Sequence, residues 1–358
     1  MQIIRIELGP ASHDAHVGAG ILDRLGELAH AAGLKPGSSA VITDRTVEKL
    51  YAAGVVDALR KSGFAPVVIS IAPGEASKSL AALESLYDRM TAAALDRSST
   101  VFALGGGVVG DLAGFAAATF LRGIALVQVP TTVVAQVDSA LGGKTGINHR
   151  HAKNLIGAFY QPRLIVADVT TLATLPDREF REGLAEVIKY GAIMDAALIA
   201  DLERDLDAIL ARRANLLEHV VARSLAHKAA VVGADERESG LRKTLNFGHT
   251  IGHAIEASAG YGSYLHGEAV AIGMVEAARL SSRYAGLSAD EASRLQRLIE
   301  RAGLPTAMPA GWNNADFLRA LGLDKKRTAG AVEFVLLDRL GHAFTKNLSI
   351  DEIVAALA

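Results

Sequence analysis

Short apolar runs alternate with amphipathic stretches through the first half of the chain. Gln2–Leu8, Ser39–Thr43, Pro66–Ile71, Thr100–Leu104, Ala125–Val129 and Leu164–Ala167 read as strands. Between them Ile21–Ala32, Thr46–Lys61 and Ser79–Ala94 repeat their apolar positions every three or four residues, as half-buried helices do. Strand–helix alternation of this kind predicts a largely parallel sheet covered by helices. After Pro176 the texture changes. Arg178–Tyr190, Asp195–Leu210, Ala214–Val232, Lys243–Ala259, Gly267–Ala285 and Ala289–Ala302 carry helical spacing, and strand character returns only at Glu333–Leu337. The pattern therefore predicts an α/β domain over residues 1–175 followed by an all-α domain over 176–358, without an internal repeat.

Composition sharpens this picture in three places. A length of 358 residues suits two domains better than one. A formal net charge of −2 argues against a nucleic-acid or membrane surface. The lack of cysteine leaves only His, Asp and Glu as strong metal ligands, and any redox chemistry needs an outside cofactor. Glu7 stands where a signal peptide would be apolar, and no window approaches ~18 uninterrupted apolar residues, so a cytoplasmic location is expected.

Thr100–Leu104 runs straight into Gly105, Gly106, Gly107, Val108, Val109, Gly110 and Asp111, then into a helical stretch. Glycines at a strand-to-helix turn let backbone N–H groups approach a phosphate, and the helix end adds partial positive charge. The same glycines serve equally for tight helix–sheet packing. An acid about 20 residues further on, expected for ribose binding, is missing; Asp44, at the end of a strand, could serve, or could simply cap the next helix. Pro73-Gly74-Glu75 before Lys78 reads as an ordinary turn and helix start. Asp138 to Gly146, continuing to Lys153 and Asn154, reads as a glycine-rich loop whose Lys144 and Lys153 could each bind a phosphate or carboxylate, or be merely solvated.

In the second half Glu186 and Lys189 share a helix face, the spacing of a plain helix salt bridge. His249 and His253 lie four residues apart on one helix, a chelating spacing, and His266 opens another helix. With Glu186 these make four candidates for a site that ordinarily uses three protein ligands. Spacing alone selects His249 with His253, and a buried structural role is open to each histidine singly.

Taken in order, GEASK at 74–78, GGGVVGD at 105–111, FLRG at 120–123, PTT at 130–132, VDSALGGKTG at 137–146, KNLIGAFYQP at 153–162, EGLAEVIKYG at 182–191, RKTLNFGHTIGHA at 242–254, LHGEA at 265–269 and DKK at 324–326 resemble the 3-dehydroquinate synthases over nearly the whole chain. The resemblance implies zinc or cobalt on Glu186, His249 and His266, with His253 left for substrate and proton transfer. It implies NAD along Asp44, Glu75, Lys78, Gly107, Val108, Val109, Gly110, Asp111, Thr131, Thr132, Asp138, Lys144, Lys153, Thr171, Leu172 and Thr174. Substrate phosphate and carboxylate would be held by Arg122, Lys144, Asn154, Lys189, Lys228, Arg242, Asn246 and one of Lys325 or Lys326. The chain departs from the family at Arg150, where proline is common, and at Ala152, where glycine is common; Ala152 requires a negative φ there.

The activity so implied is closure of 3-deoxy-D-arabino-heptulosonate 7-phosphate to 3-dehydroquinate and phosphate, with transient NAD reduction, in a cytoplasmic homodimer. It places NAD on the first domain and the metal on the second, with closure excluding water. Rivals are a cyclase on the same scaffold making an inosose or valiolone-type ring and a metal-dependent polyol or glycerol-phosphate dehydrogenase of related fold. A third is a nucleotide-binding regulator without catalysis.

Overall fold

The computed structural model describes residues 1–260, 263–312, 315–323 and 331–357. Lys325 and Lys326 fall outside them. The chain divides into two compact units, Met1–Leu175 with Ala214–Glu236, and Pro176–Arg213 with Arg237–Ala358. One sequence expectation is revised here, because the helix at Ala214–Ala234 belongs to the first unit and not to the second.

The first unit is built on a seven-stranded sheet in the order β1-β2-β9-β6-β5-β3-β4. Its strands are β1 (Gln2–Ile6), β2 (His13–Gly18), β3 (Ser38–Asp44), β4 (Ala65–Ile71), β5 (Thr100–Gly105), β6 (Ala125–Pro130) and β9 (Leu164–Asp168). All pairings are parallel except β1 with β2. Strands covered on both faces read as continuous apolar runs, and all six residues of β5 and all five of β9 are buried. Alternation along each strand feeds two cores. Ala40, Ile42, Val101 and Ala103 face one, with α4 (Leu80–Ala92) and α5 (Gly107–Thr119). Val41, Phe102 and Leu104 face the other, with α1 (Leu25–Ala31) and α3 (Ala53–Lys61). The predicted Thr46–Lys61 helix is segmented into α2 (Arg45–Val47), a π turn at Glu48–Ala52 and α3.

One strand and a hairpin escaped the hydrophobic pattern for physical reasons. β2 carries His13, Asp14 and His16 among its apolar positions, and it is buried because β9 pairs with it and α8 (Ala214–Ala234) packs on β1 and β2. The stretch read as a glycine-rich loop is the antiparallel hairpin β7 (Lys144–His149) and β8 (Ala152–Phe159). Gly146 and Gly157 stand opposite each other, where a Cβ at Gly157 would meet Thr145 O at 2.1 Å. Strand propensity is poor for Gly, Asn and Lys, so tertiary pairing decides the conformation. Ala152 is absent from the positive-φ residues, so alanine is unstrained there.

Burial on β2 has a measurable consequence. His13 and His16 are 3% and 8% exposed, and burial lowers the pKa of both below 6.5. Below that pH the unfolded chain takes up protons that the folded chain refuses, so stability rises with pH there and is complete above about 6.5. The expected contribution of the pair is a fall in the denaturation midpoint between about pH 6.5 and 5, over and above what the other titrating groups contribute. A His13→Gln, His16→Gln double variant should lose that fall, and an equally steep fall in the variant would contradict the assignment.

The second unit contains α6 (Asp177–Met194), α7 (Ala196–Leu210), α9 (His249–Ala259), α10 (His266–Tyr284), α11 (Ala289–Arg301), α12 (Ala315–Leu323) and α13 (Ile350–Leu357). It is not all-α: β10 (Ala331–Arg339) and β11 (His342–Ser349) form an antiparallel hairpin, longer than the strand expected at Glu333–Leu337. The predicted Lys243–Ala259 helix is also broken. Leu241–Asn246 is a 3-10 turn, and Gly248, at φ +79°, turns the chain before α9 begins at His249. No helix among the described residues is long and apolar enough to cross a membrane.

Candidate functional site

Within the first unit the sheet fixes where a ligand can sit. From β3 the chain goes to β4 on one side and then returns to β5 on the other, so the strand order reverses between β3 and β5. In open α/β sheets such a switch point, at the carboxyl ends of the strands, is the binding crevice. Asp44 ends β3 and Gly105 ends β5. This is why the glycine turn need not follow the first strand.

The glycines divide by task. A Cβ at Gly105 would meet Val109 at 2.6 Å, and one at Gly110 would meet Gln128 Oε1 at 2.9 Å, so these two permit helix–sheet packing. Gly106 is the N-cap residue of α5, and at Gly106 and Gly107 an added Cβ would meet only the side chains of Thr132 and Ser139, at 3.0 and 3.1 Å. The first N–H groups of α5, those of Gly107, Val108 and Val109, thus follow directly on a glycine turn, a helix N-terminus of the kind that can take a phosphate.

Other residues that the resemblance assigns to NAD have visible structural partners. Asp44 caps its helix, its Oδ1 accepting from the N–H groups of Thr46 and Val47 at 2.8 and 3.1 Å. Lys78 is 5% exposed and donates to Asp111 Oδ2 at 2.6 Å and to Asn154 Oδ1. Burial raises the Asp111 carboxyl above its ordinary value and Lys78 opposes that rise. Asn148 donates to Glu75 Oε1 at 2.7 Å, and Asn154, at φ +53°, donates its N–H to Asn148 Oδ1. Glu75, Lys78, Asp111, Asn148 and Asn154 therefore form one polar network tying the hairpin to the glycine turn. Thr131 N–H donates to Gly105 O, and Thr132 Oγ1 accepts from Ala135 N–H.

Two residues that sequence reasoning missed hold the 171–174 stretch. Gln136, fully buried, donates from Nε2 to Asp168 O at 2.8 Å and to Thr171 Oγ1 at 3.1 Å. Tyr51 donates to Thr171 O at 3.0 Å and touches Thr174 Oγ1. Leu172 is buried. Lys228 donates to Asp138 O at 2.6 Å and pairs with Asp138 Oδ1 at 2.7 Å. Lys144, at the start of β7, and Arg122 are exposed while Lys153 is half-buried, and Arg122 sits at φ +69° between Leu121 and Gly123, both also at positive φ.

The second unit brings three predicted ligands together. Glu186, His249 and His266 place one carboxylate oxygen and two imidazole nitrogens within 4.8 Å of one another. Glu186 is completely buried in α6. Its Oε1 faces His249 Nε2 at 3.6 Å and His266 Nε2 at 3.3 Å, while Lys189 pairs with Oε2. The two carboxylate oxygens are thus divided between the histidines and the lysine.

Glycines allow this convergence. α10 crosses α9 so closely that a Cβ at Gly273 would lie 1.9 Å from Gly248 O, and one at Gly252 would lie 3.0 Å from Ala269 O. A Cβ at Gly267 would lie 1.9 Å from Glu182 O, which fixes the start of α10, and His266 with it, against α6. Glu182 Oε2 also accepts from Gly267 N–H at 2.7 Å, and burial pushes the Glu182 carboxyl up to about 7. Arg178 donates to both oxygens of Glu268, whose Oε2 accepts the Leu265 N–H.

The electrostatics suit a cation. Burial, with Lys189 nearby, holds the His249 imidazole well below its ordinary pKa and so neutral, with its Nδ1 3.1 Å from Phe247 O. Burial works against charge on His266 too, but Glu186 and Glu256 outweigh it and push its pKa up to about 10. Positive charge beside Glu186 is therefore favoured, whether a proton or a metal carries it, and a carboxylate with two imidazoles is a donor set that binds Zn2+ or Co2+. His253 is outside this trio; its ring centroid is 5.3 Å from that of His249, and with Glu256 and His266 it forms a second His/Glu group. Arg242 is buried, and Asn246 donates to Glu238 Oε1 at 2.8 Å.

Comparison with known proteins agrees across the chain. Residues 68–182 match the family model for the 3-dehydroquinate synthase N-terminal domain, and residues 183–327 match that for the C-terminal domain. A 3-dehydroquinate synthase of Pelobacter propionicus is 51% identical over 99% of this chain and 98% of its own length. A 2-deoxy-scyllo-inosose synthase complexed with carbaglucose-6-phosphate, NAD+ and Co2+ superposes with a TM-score of 0.90, at 26% identity, covering 99% of each chain. The 2-epi-5-epi-valiolone synthase of Streptomyces hygroscopicus, with NAD+ and Zn2+ bound, gives a TM-score of 0.87 at 29% identity, covering 96% of this chain and 95% of its own.

Proposed function

The chain belongs to the 3-dehydroquinate synthase family, and from that membership we propose that it converts 3-deoxy-D-arabino-heptulosonate 7-phosphate to 3-dehydroquinate and phosphate, using NAD and a divalent metal. The observation that carries the proposal is the grouping of Glu186 Oε1 with the Nε2 atoms of His249 and His266. Bound there, Zn2+ or Co2+ would supply Lewis acidity toward a substrate hydroxyl, and NAD+ would supply a reversible hydride acceptor.

Glu186, His249 and His266 are the proposed metal ligands. Asp44, Glu75, Lys78, Gly107 to Asp111, Thr131, Thr132, Asp138, Lys144, Lys153, Thr171, Leu172 and Thr174 are proposed to bind NAD. The phosphate departs with loss of a proton from the carbon beside the new ketone, and the phosphate's own oxygen is a suitable base. The protein then has to orient that group and screen its charge. Arg122, Lys144, Asn154, Lys189, Lys228, Arg242 and Asn246 are assigned to phosphate and carboxylate, and His253 to proton transfer. The same family membership implies a homodimer in the cytoplasm.

Arg242 and Lys228, which family membership assigns to the substrate carboxylate, favour a substrate that carries one over a sugar phosphate that does not. A hydrogen bond to a charged group contributes about 1.5–3 kcal/mol. Turnover should therefore prefer the heptulosonate phosphate over sedoheptulose 7-phosphate by at least about tenfold to a hundredfold in kcat/KM. Preference for sedoheptulose 7-phosphate would reassign the chain to a ring-forming relative.

A further inference from the structure

The two histidines of the trio are oriented differently from behind. His249 has a backbone carbonyl, Phe247 O, at Nδ1, whereas His266 Nδ1 faces the carboxylate of Glu256, with Oε2 at 3.4 Å. Glu256 is on α9 and its side chain is 12% exposed. We infer that Glu256 is a positioning residue for the metal site: by accepting the Nδ1–H of His266 it fixes that ring with Nε2 toward Glu186. The inference rests on the metal reading of the trio proposed above.

Valence supports this role. An ionised carboxylate can only accept, so Nδ1 must carry the hydrogen, and a neutral imidazole then has its lone pair at Nε2. Glu256 also belongs to the group of His253 and His266, which invites a different role as a ligand itself. The atoms decide between them. His266 turns Nε2 to Glu186 at 3.3 Å and Nδ1 to Glu256, and a ring already bound through Nε2 keeps Nδ1 for its acceptor. Outer carboxylates of this kind orient ligand histidines and raise their basicity, and their loss costs about 10- to 100-fold in metal affinity. The His266 side chain is also the less enclosed of the two, at 35% exposed against 11% for His249.

Glu256→Ala and Glu256→Gln test this in the full chain loaded with Co2+, reading affinity by competition with a chromophoric chelator and the visible absorption of the bound cobalt. Glu256→Ala should weaken Co2+ about 10- to 100-fold and alter the cobalt spectrum. Glu256→Gln, whose amide oxygen still accepts from Nδ1–H, should fall between it and wild type, and it supplies the answer if the alanine variant does not fold. Wild-type affinity and an unchanged spectrum in either folded variant would overturn the inference while leaving the trio intact. Wild-type protein that takes up no Co2+, or takes it up equally well after Glu186→Gln, would instead overturn the metal reading and this inference with it.

Discussion

Replacing Glu186 with glutamine is expected to lower turnover on the order of 1000-fold and to abolish tight binding of Zn2+ or Co2+. A bound cation contributes several kcal/mol to stabilising charge at a reacting oxygen, and each ~1.4 kcal/mol is a factor of ten in rate. The amide keeps the size of the side chain but removes the only formal negative charge among the three ligands. Both imidazoles present Nε2 to the same oxygen, so its charge is the common element of the site. The substitution also breaks the buried pair with Lys189, a lysine that is 1% exposed. Breaking such a pair from one side costs about 3–5 kcal/mol, so turnover should be compared at a temperature where circular dichroism shows both proteins folded. Turnover within tenfold of wild type, with metal retained, would contradict the assignment of Glu186.

Gly273→Ala should cost about 3 kcal/mol or more, the upper range for overpacking, and should weaken metal binding although residue 273 lies outside the trio. The added methyl carbon would stand 1.9 Å from Gly248 O and 3.0 Å from Gly252 N, which are backbone atoms. No rotamer change can relieve that contact. Gly248 O accepts from Gly252 N–H at 2.9 Å in the first turn of α9, so moving it moves the turn that carries His249. Denaturant unfolding should show a lower midpoint with a nearly unchanged slope, and metal titration should show reduced affinity. A change of less than about 0.5 kcal/mol, ordinary for a surface substitution, would mean that the two helices do not need this close approach.

The parallel sheet was readable from the sequence because its strands are apolar on both faces, and β5 with its glycine turn is the clearest case. β2 and the β7–β8 hairpin were not, since His13, His16, Gly146 and Gly157 owe their strand conformation to partners distant in sequence. The proposed metal trio shows the same limit. Spacing along one helix pairs His249 with His253, whereas the geometry groups His249 with His266 across the glycine contact of α9 with α10. Family motifs supplied that choice where spacing did not. Nothing local marks Gln136, Tyr51 or Glu256, since their roles come only from what they touch. The break at Gly248 was visible as a glycine, but nothing local shows its left-handed φ or that Met274 and Val270 fill the space a Cβ would need.

A single assay bears most directly on the proposed cycle of hydride removal and return. The protein, reloaded with Zn2+ after metal removal, is given 3-deoxy-D-arabino-heptulosonate 7-phosphate and NAD+ well below the substrate concentration, while free phosphate and absorbance from NADH are followed together. Many equivalents of phosphate per NAD+, with no accumulating NADH and no release before zinc is restored, is the expected result. NADH rising one-for-one with product, or phosphate release that needs neither NAD+ nor metal, would contradict it.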